Sequence, residues 1–186
     1  MQHGWFFWFL SSWTILGGVV FILLLFIPAP YGRYDRKGWG PQLRPRVAWL
    51  LMEAPASLLM FFYWITSGQP FRPISLVFIV IWQSHYVYRA FVYPFRLPAG
   101  SHAMPLSVVL FGLIFNGVNT LLNGYGIFWV GNLQEVSWLL DWRFLVGVGF
   151  FFLGMGINRR ADDLRRKQRA ARPGEYFIPQ GGPFRW

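Results

Sequence analysis

The chain has no cysteine, three histidines and seven acidic residues among its 186 positions. The absence of cysteine excludes disulfides and thiolate metal sites. The histidines form no HExxH spacing, so nothing indicates a zinc hydrolase and we expect no metal. No GxGxxG or Walker pattern occurs either. A bound nucleotide would therefore need a phosphate site other than a Rossmann or P-loop turn.

Charge is scarce and is concentrated between long apolar blocks. Charged residues make up 13% of the chain and hydrophobic ones 55%. Since a bilayer span needs about 20 mainly apolar residues, the blocks predict an all-α, polytopic membrane bundle of five spans in one domain, residues 1–186. We place the spans near residues 5–27, 47–66, 74–94, 105–124 and 139–157. The first block has no basic n-region or small-residue cleavage site, so we expect it to remain as a span.

The 17 lysine and arginine residues are distributed unevenly. With an outside N-terminus, five spans place all of them except Arg72 and Arg143 on one side of the membrane. The positive-inside rule therefore predicts a multi-pass membrane protein whose basic loops and C-terminal tail are cytoplasmic. This rule and attraction to anionic lipid account for the net charge of +10. We expect the lipid bilayer, and no nucleic acid, as a partner, and the oligomeric state stays open.

Glu53 is the only charged residue between Val47 and Phe71. A charge in the middle of a membrane helix costs about 3 kcal/mol or more, and such residues usually face a cavity and have a function. Either the carboxyl has a partner or it is neutral and can donate a hydrogen bond. Both explanations make Glu53 a candidate for a functional site.

Tyr86, Arg89 and Tyr93 follow one another at spacings of three and four in the third predicted span. This spacing places them on one helix face. An interfacial girdle of tyrosine and arginine is the structural alternative. Glu53 favours a functional role, because a buried carboxyl and a phenol can together polarise a carbonyl oxygen, as in an unrelated ketosteroid enzyme.

Three amides, Asn116, Asn119 and Asn123, recur at similar spacings in the fourth predicted span. Polar groups in a membrane helix need partners, so these amides either line a wet cavity or hydrogen-bond to other helices.

At the end of the fifth predicted span, Asn158, Asp162 and Asp163 are followed by arginines. Arginine forks suit phosphate oxygens and an aspartate can accept from a ribose hydroxyl. The alternative for most of these arginines is a stop-transfer charge run.

Taken together, several stretches resemble the steroid 5α-reductase (3-oxo-5α-steroid 4-dehydrogenase) family. They occur in the family's order and cover nearly the whole chain: Tyr31–Tyr34, Arg46–Pro55, His85–Tyr93, Asn119–Tyr125, Asp141–Phe144, Gly154–Asn158, Pro173–Tyr176 and Ile178–Gly182. The resemblance implies an oxidoreductase that transfers a hydride from NADPH to the 4,5 double bond of a 3-oxo-4-ene steroid. It also implies that Glu53 and Tyr86 are catalytic and hold the ketone oxygen.

The same resemblance suggests roles for other residues. Asn119 and Asn123 are expected near the substrate, together with Glu53 and Tyr86. The residues expected to contact NADPH are Asn158, Asp162, Arg165, Arg166, Arg169, Tyr176, Arg89, Tyr93 and Tyr31. The family has seven spans, so we expect this chain to lack the last two, which carry further cofactor contacts.

The chain departs from the family pattern at two places. Met52 stands where family members usually have a glutamine, and the arginine-rich stretch after Asn158 is about two residues longer, so the choice among the tail arginines stays open. Four alternative functions also remain at this point: an enoyl or polyprenoid reductase, an isoprenyl-type membrane methyltransferase that uses S-adenosylmethionine, a proton-coupled transporter, and a lipid-binding module. A transporter usually shows inverted repeats, and none is evident in the sequence.

Overall fold

A computed structural model describes residues 3–27, 38–97, 101–131 and 135–171. Five α-helices account for most of this part of the chain. Their bounds are α1 Gly4–Phe26, α2 Pro45–Thr66, α3 Pro73–Val87, α4 Leu106–Tyr125 and α5 Trp142–Ala171. A two-residue strand β1 (Gln42–Leu43) pairs antiparallel with β2 (Met104–Pro105) and joins the segments that precede α2 and α4. The predicted all-α class is confirmed.

Helix α2 is the central element, because it packs against both α3 and α4. It begins with Pro45, a residue suited to the first helical turn because that turn leaves its N–H groups without helical partners. One face of α2 is buried, including Ala48, Met52, Glu53 and Ala56. The segment around β2 and α4 covers part of this face through Met104 and Val109, which form an apolar cluster with Ala48 and Met52.

Two glycines of α4 allow this close packing. A Cβ on Gly112 would lie 2.6 Å from the Met52 sulfur, and a Cβ on Gly124 would lie 2.6 Å from the Tyr63 ring. Small residues are common where membrane helices approach each other closely. The α2–α4 contact thus brings the polar residues of the two helices to the same place.

Three helical segments are long and apolar enough to cross a membrane among the residues that the structure describes: Gly4–Phe26, Pro45–Thr66 and Leu106–Val130. They coincide with the first, second and fourth predicted spans. Helix α5 continues through the predicted fifth span into the basic stretch without a break. The number of spans in the protein, its single-domain organisation and its orientation stay predictions.

The third predicted span is less regular than expected. Helix α3 ends at Val87 and continues as a π-helical turn, Tyr88–Val92, and then a 3₁₀ turn, Tyr93–Arg96. The N–H of Tyr93 donates to the carbonyl of Tyr88, five residues earlier. Wider turns of this kind are frequent at functional sites. Here the wide turn contains Arg89.

Candidate active site

Glu53 lies inside the bundle, where only 9% of its surface is exposed. Both carboxyl oxygens have partners from other helices. Arg89 donates from Nη2 to Oε1 at 3.4 Å, and Asn116 of α4 donates from Nδ2 to Oε2 at 3.3 Å. Both contacts are at the long end of the hydrogen-bond range. The carboxyl is therefore held on two sides but not tightly bound on either.

Tyr86 is fixed from two directions. Its ring stacks on Trp82, with a centroid distance of 4.6 Å and an interplanar angle of 22°. Its phenol oxygen accepts a hydrogen bond from Nδ2 of Asn119 at 3.1 Å. Asn123, one turn further along α4, donates to both the backbone and side-chain oxygens of Asn119. Because the phenol oxygen is the acceptor in this bond, the phenol hydrogen can donate to another group.

Trp82 also anchors α3 to α2, since its indole N–H donates to the carbonyl of Ala56 at 3.0 Å. Next to it, Gln83 and Ser57 form a reciprocal pair: the Ser57 hydroxyl donates to the Gln83 amide oxygen, and the Gln83 amide donates to the Ser57 carbonyl. These bonds lie about one turn along α2 from Glu53. They fix the part of α3 that leads to Tyr86.

Arg89 is the most highly connected cation of the site. Its guanidinium lies 4.4 Å from the centre of the Trp49 ring and 4.6 Å from that of Tyr93. Besides Glu53, it donates from Nη1 to Oδ2 of Asp162 on α5 at 3.3 Å. Arginine suits such a position because its planar fork can stack on aromatic rings while it donates to carboxylates. Arg89 thus connects the carboxyl of α2 to the basic end of α5.

Three side-chain contacts and two short stretches of helix link five residues into a ring. Asn116 and Asn119 are one turn apart on α4, and Tyr86, at the end of α3, is three residues before Arg89 in the π-helical turn. Glu53 bonds Asn116 and Arg89, and Tyr86 bonds Asn119. Glu53 and Asn116 are buried and the other three are partly buried. The ring offers a carboxyl and a phenol, which suits recognition of a polar oxygen on an otherwise apolar molecule.

The basic end of α5 is more open. Arg165 donates to Asp162 at 2.9 Å and Arg166 donates to Asp163 at 3.1 Å, both across one helical turn. Burial raises the pKa of the Asp162 carboxyl, while Arg89 and Arg165 beside it act in the opposite direction. Asn158 and Arg169 are exposed on the same helix. These side chains could reach phosphate and ribose groups of a nucleotide.

The structure brings together most of the residues proposed from the sequence. Tyr31 and Tyr176, also proposed for the cofactor, lie outside the described residues. Two contributors were not among the site residues proposed from the sequence. Asn116 was noted in the amide series of α4, as a cavity-lining or interhelical residue, but only Asn119 and Asn123 were placed near the substrate. Trp49 lies four residues before Glu53, on the same face of α2, but tryptophan is so frequent in this chain that its position carried no signal.

Within the described ranges, no group of three or more His, Asp or Glu side chains could hold a metal ion.

Comparison with known proteins gives the family. A family model described as 3-oxo-5-alpha-steroid 4-dehydrogenase matches residues 102–186. The 3-oxo-5-alpha-steroid 4-dehydrogenase 1 of Bos taurus is 33% identical over 177 residues, which cover 92% of this chain and 67% of that protein. The chain belongs to the steroid 5α-reductase family. The steroid 5-alpha-reductase DET2 of Arabidopsis thaliana is 35% identical over 173 residues, or 88% of this chain. The 3-oxo-5-alpha-steroid 4-dehydrogenase 2 of Mus musculus is 37% identical over 166 residues, or 84% of this chain.

Family membership and the apolar helices together identify a membrane protein of the steroid 5α-reductase family. The chain spans 64% of the length of the DET2 proteins of Arabidopsis thaliana and Gossypium hirsutum. The family assignment therefore rests on the part of these relatives that aligns with this chain. The activity of the whole protein is a separate question, which the site geometry addresses.

Proposed function

We propose that the protein reduces the 4,5 double bond of a 3-oxo-4-ene steroid, with NADPH as the hydride source. The observation that carries this proposal is the partly buried ring in which Glu53 and Tyr86 are held by amides on neighbouring turns of α4. The relatives are named as steroid reductases and dehydrogenases. Those names favour an oxidoreductase over the methyltransferase, transporter and lipid-binding hypotheses.

Tyr86 is proposed as one hydrogen-bond donor to the ketone oxygen. Asn119 occupies an acceptor position of the phenol oxygen and leaves the phenol hydrogen available. The stacked Trp82 ring restricts rotation of the tyrosine side chain. A donor that is oriented before the reaction stabilises a developing oxyanion without reorganisation, which is commonly a large contribution to catalysis.

Glu53 is proposed as the second donor, and this role requires the protonated acid. The ketone oxygen would lie beside Oε1 of Glu53 and replace the 3.4 Å contact of that oxygen with Arg89. A carboxylic acid and a phenol acting together would withdraw electron density from the enone and stabilise the enolate. The β-carbon then becomes electrophilic enough to accept a hydride. The enolate that results takes a proton at its α-carbon, ultimately from water, and this completes the addition of two hydrogens.

The basic end of α5 is proposed as the cofactor site. NADPH, when bound, supplies the hydride. The donors present fit such a ligand, because Arg165 and Arg166 could exchange their ion pairs with Asp162 and Asp163 for phosphate oxygens, and Asp162 can accept from a ribose hydroxyl. Arg89 lies between this region and Glu53, in contact with the carboxyl groups of Glu53 and Asp162. We place Asn158, Arg169, Tyr93, Tyr31 and Tyr176 in the same proposed site.

The proposed orientation has the N-terminus outside and the basic segments in the cytosol. An apolar steroid could then reach the ring from the bilayer, while the nucleotide would approach α5 from the cytosol. This arrangement follows the distribution of arginine and lysine along the chain. It keeps the charged ligand on the side with the positive charges.

A direct test is to incubate membranes that contain the protein with NADPH and progesterone, and to follow products by mass spectrometry. We expect a mass gain of two hydrogens, located at the former 4,5 double bond. Glu53→Gln keeps the shape of the side chain but removes its acidity, and should lower the rate by about 100-fold or more. A long-chain enoyl ester and a polyprenoid enone serve as competing substrates. Reduction of either one without the steroid would overturn the proposed substrate, and full activity of folded Glu53→Gln would overturn the proposed chemistry.

A further inference from the structure

Asn116 is a buried amide, 8% exposed, with two acceptors for one nitrogen. Its Nδ2 donates to the backbone carbonyl of Met52 at 2.8 Å and to Oε2 of Glu53 at 3.3 Å. The acceptors belong to consecutive residues of α2. The amide is thus attached both to the helix that carries the carboxyl and to the carboxyl itself.

The carbonyl of Met52 can accept this bond in addition to a helical one. The helical donor to it is the N–H of Ala56, four residues later, and a carbonyl oxygen has a second lone pair. Pro55 has no N–H for the carbonyl of Leu51, the preceding residue, so the helical hydrogen bonding of α2 is already incomplete at this level. Gly112, one turn before Asn116 on α4, has no side chain to separate the helices at this level.

The shorter of the two bonds goes to the backbone. The position of the Asn116 amide is therefore set by α2 itself and does not depend on the protonation state of Glu53 or on a ligand. With the amide fixed, Oε2 of Glu53 always faces a donor. Oε1 faces the Arg89 guanidinium at 3.4 Å, and the ketone proposed above would take the place of that contact. A protonated Glu53 then carries its hydrogen on Oε1, because Oε2 remains the acceptor of the Asn116 N–H.

We propose that Asn116 is a positioning residue that holds Oε2 of Glu53 as an acceptor and so directs the acidic hydrogen on Oε1 towards the ketone. The inference rests on the proposed reductase function. It assigns to Asn116 a role that differs from substrate contact: the amide acts through Glu53. Trp82 and Asn119 hold the Tyr86 phenol in a comparable way.

The test uses the full chain in lipid nanodiscs and compares Asn116→Leu with wild type. Leucine keeps the approximate size of the side chain and removes the donor. Thr120→Val is the matched control, because Thr120 is equally buried on α4 but its hydroxyl donates only to the backbone carbonyl of Asn116 in its own helix. Asn116→Ala replaces Asn116→Leu if the latter does not fold, as judged by its thermal unfolding transition.

Two readouts are needed, one of them independent of turnover. The infrared band of the Glu53 carboxyl, identified by subtracting the spectrum of Glu53→Gln, reports its hydrogen bonds without substrate. We expect this band to shift in Asn116→Leu and to stay in place in Thr120→Val. In steady-state assays kcat should fall about 10- to 100-fold in Asn116→Leu, the range for residues that orient a catalytic group, while the Kd for NADPH changes less than twofold.

The possible results separate the inference from the function on which it rests. An unchanged Glu53 band in folded Asn116→Leu would overturn the inference, as would a shifted band with unchanged kcat. Loss of NADPH binding together with activity would also overturn it, since that pattern indicates a general structural role. If wild type reduces no enone, the proposed function fails, and the infrared measurement alone still decides whether Asn116 holds Glu53.

Discussion

The two polar regions of this protein are held together in different ways. Around Glu53 and Tyr86, the hydrogen bonds run between helices: α4 amides bond the α2 carboxyl and the α3 phenol. At the basic end of α5, the ion pairs of Arg165 and Arg166 run within one helix, three residues apart. Among the described residues, Arg89 links Glu53 to the second region through Asp162, and Arg96, in the turn after α3, also reaches that region through Asp163.

This difference indicates when each region acquires its geometry. Contacts between helices depend on the packed bundle, so the ring around Glu53 is formed before a ligand binds. The side chains of Arg165 and Arg166 are 49% and 39% exposed, and ion pairs that are partly exposed contribute less to holding a side chain in place than contacts inside the bundle do. We therefore expect the first region to bind through preorganised groups and the second to adapt to its ligand.

The largest expected effect comes from removing the phenol hydroxyl of the ring. Tyr86→Phe keeps the stacking on Trp82 but removes the proposed donor to the ketone and the acceptor of the Asn119 bond. We expect kcat for a 3-oxo-4-ene steroid to fall by about 100-fold or more. The Kd for NADPH should stay near the wild-type value, because the substitution leaves the basic end of α5 unchanged.

Tyr125→Phe is the matched control for this substitution. Tyr125 also has its hydroxyl in a contact with another segment, Nδ1 of His3 at 3.0 Å, but at the last residue of α4, six residues after Asn119. Its activity should remain close to that of wild type. Equal losses in the two variants would show that the hydroxyl of Tyr86 has a structural role, and an unchanged rate in Tyr86→Phe would remove it from the proposed chemistry.

Much of the fold could be predicted from the sequence, because the thickness of the bilayer sets the length of an apolar helix. The first, second and fourth helices begin and end within a few residues of the prediction. The sequence did not predict the π-helical turn Tyr88–Val92, which contains Arg89 and its contacts with Glu53 of α2 and Asp162 of α5.

The candidate site was predictable to a similar degree. Glu53 was conspicuous because a lone charge in an apolar span is costly, and Tyr86 and Arg89 followed from helical spacing. The role of Asn116 was not predictable, because three amides on one face look alike in the sequence. Only the packing of α4 on α2 shows which amide reaches Glu53 and which one reaches Tyr86.

A smaller effect, on cofactor preference, is expected when the arginines at the basic end of α5 are replaced. Replacing Arg165, Arg166 and Arg169 together with glutamine removes three positive charges near the proposed phosphate site. We expect the preference for NADPH over NADH, measured as a ratio of Kd values, to fall about 10-fold or more, because the 2′-phosphate is the group that arginine forks recognise. The rate at saturating cofactor should change much less.

Arg143→Gln provides the control for a lost exposed arginine. Arg143 pairs with Asp141 two residues earlier, at the start of α5, and is far along the helix from the basic end. This variant should keep the wild-type cofactor preference. If the triple replacement leaves the Kd ratio untouched, the 2′-phosphate is held elsewhere and the cofactor part of the proposed function is wrong.

The smallest expected effect is on stability and tests whether the two regions differ in packing. Gly124→Ala places a methyl group in the position that the Tyr63 ring of α2 occupies, so we expect it to destabilise the α2–α4 contact by about 1–3 kcal/mol. Gly147→Ala is the matched change in α5, where a Cβ meets nothing within 4 Å. Removing a helical glycine there should stabilise by up to about 1 kcal/mol.

Thermal unfolding in detergent measures both glycine variants under identical conditions. A lower midpoint for Gly124→Ala and an equal or higher one for Gly147→Ala would support a tightly packed α2–α4 contact beside a loosely packed α5. The two amides that hold the Glu53–Tyr86 pair belong to α4. A destabilised α2–α4 contact should therefore also lower kcat in Gly124→Ala, while Gly147→Ala should retain it. If both variants unfold at the wild-type temperature, close packing of α4 is not what preorganises the site.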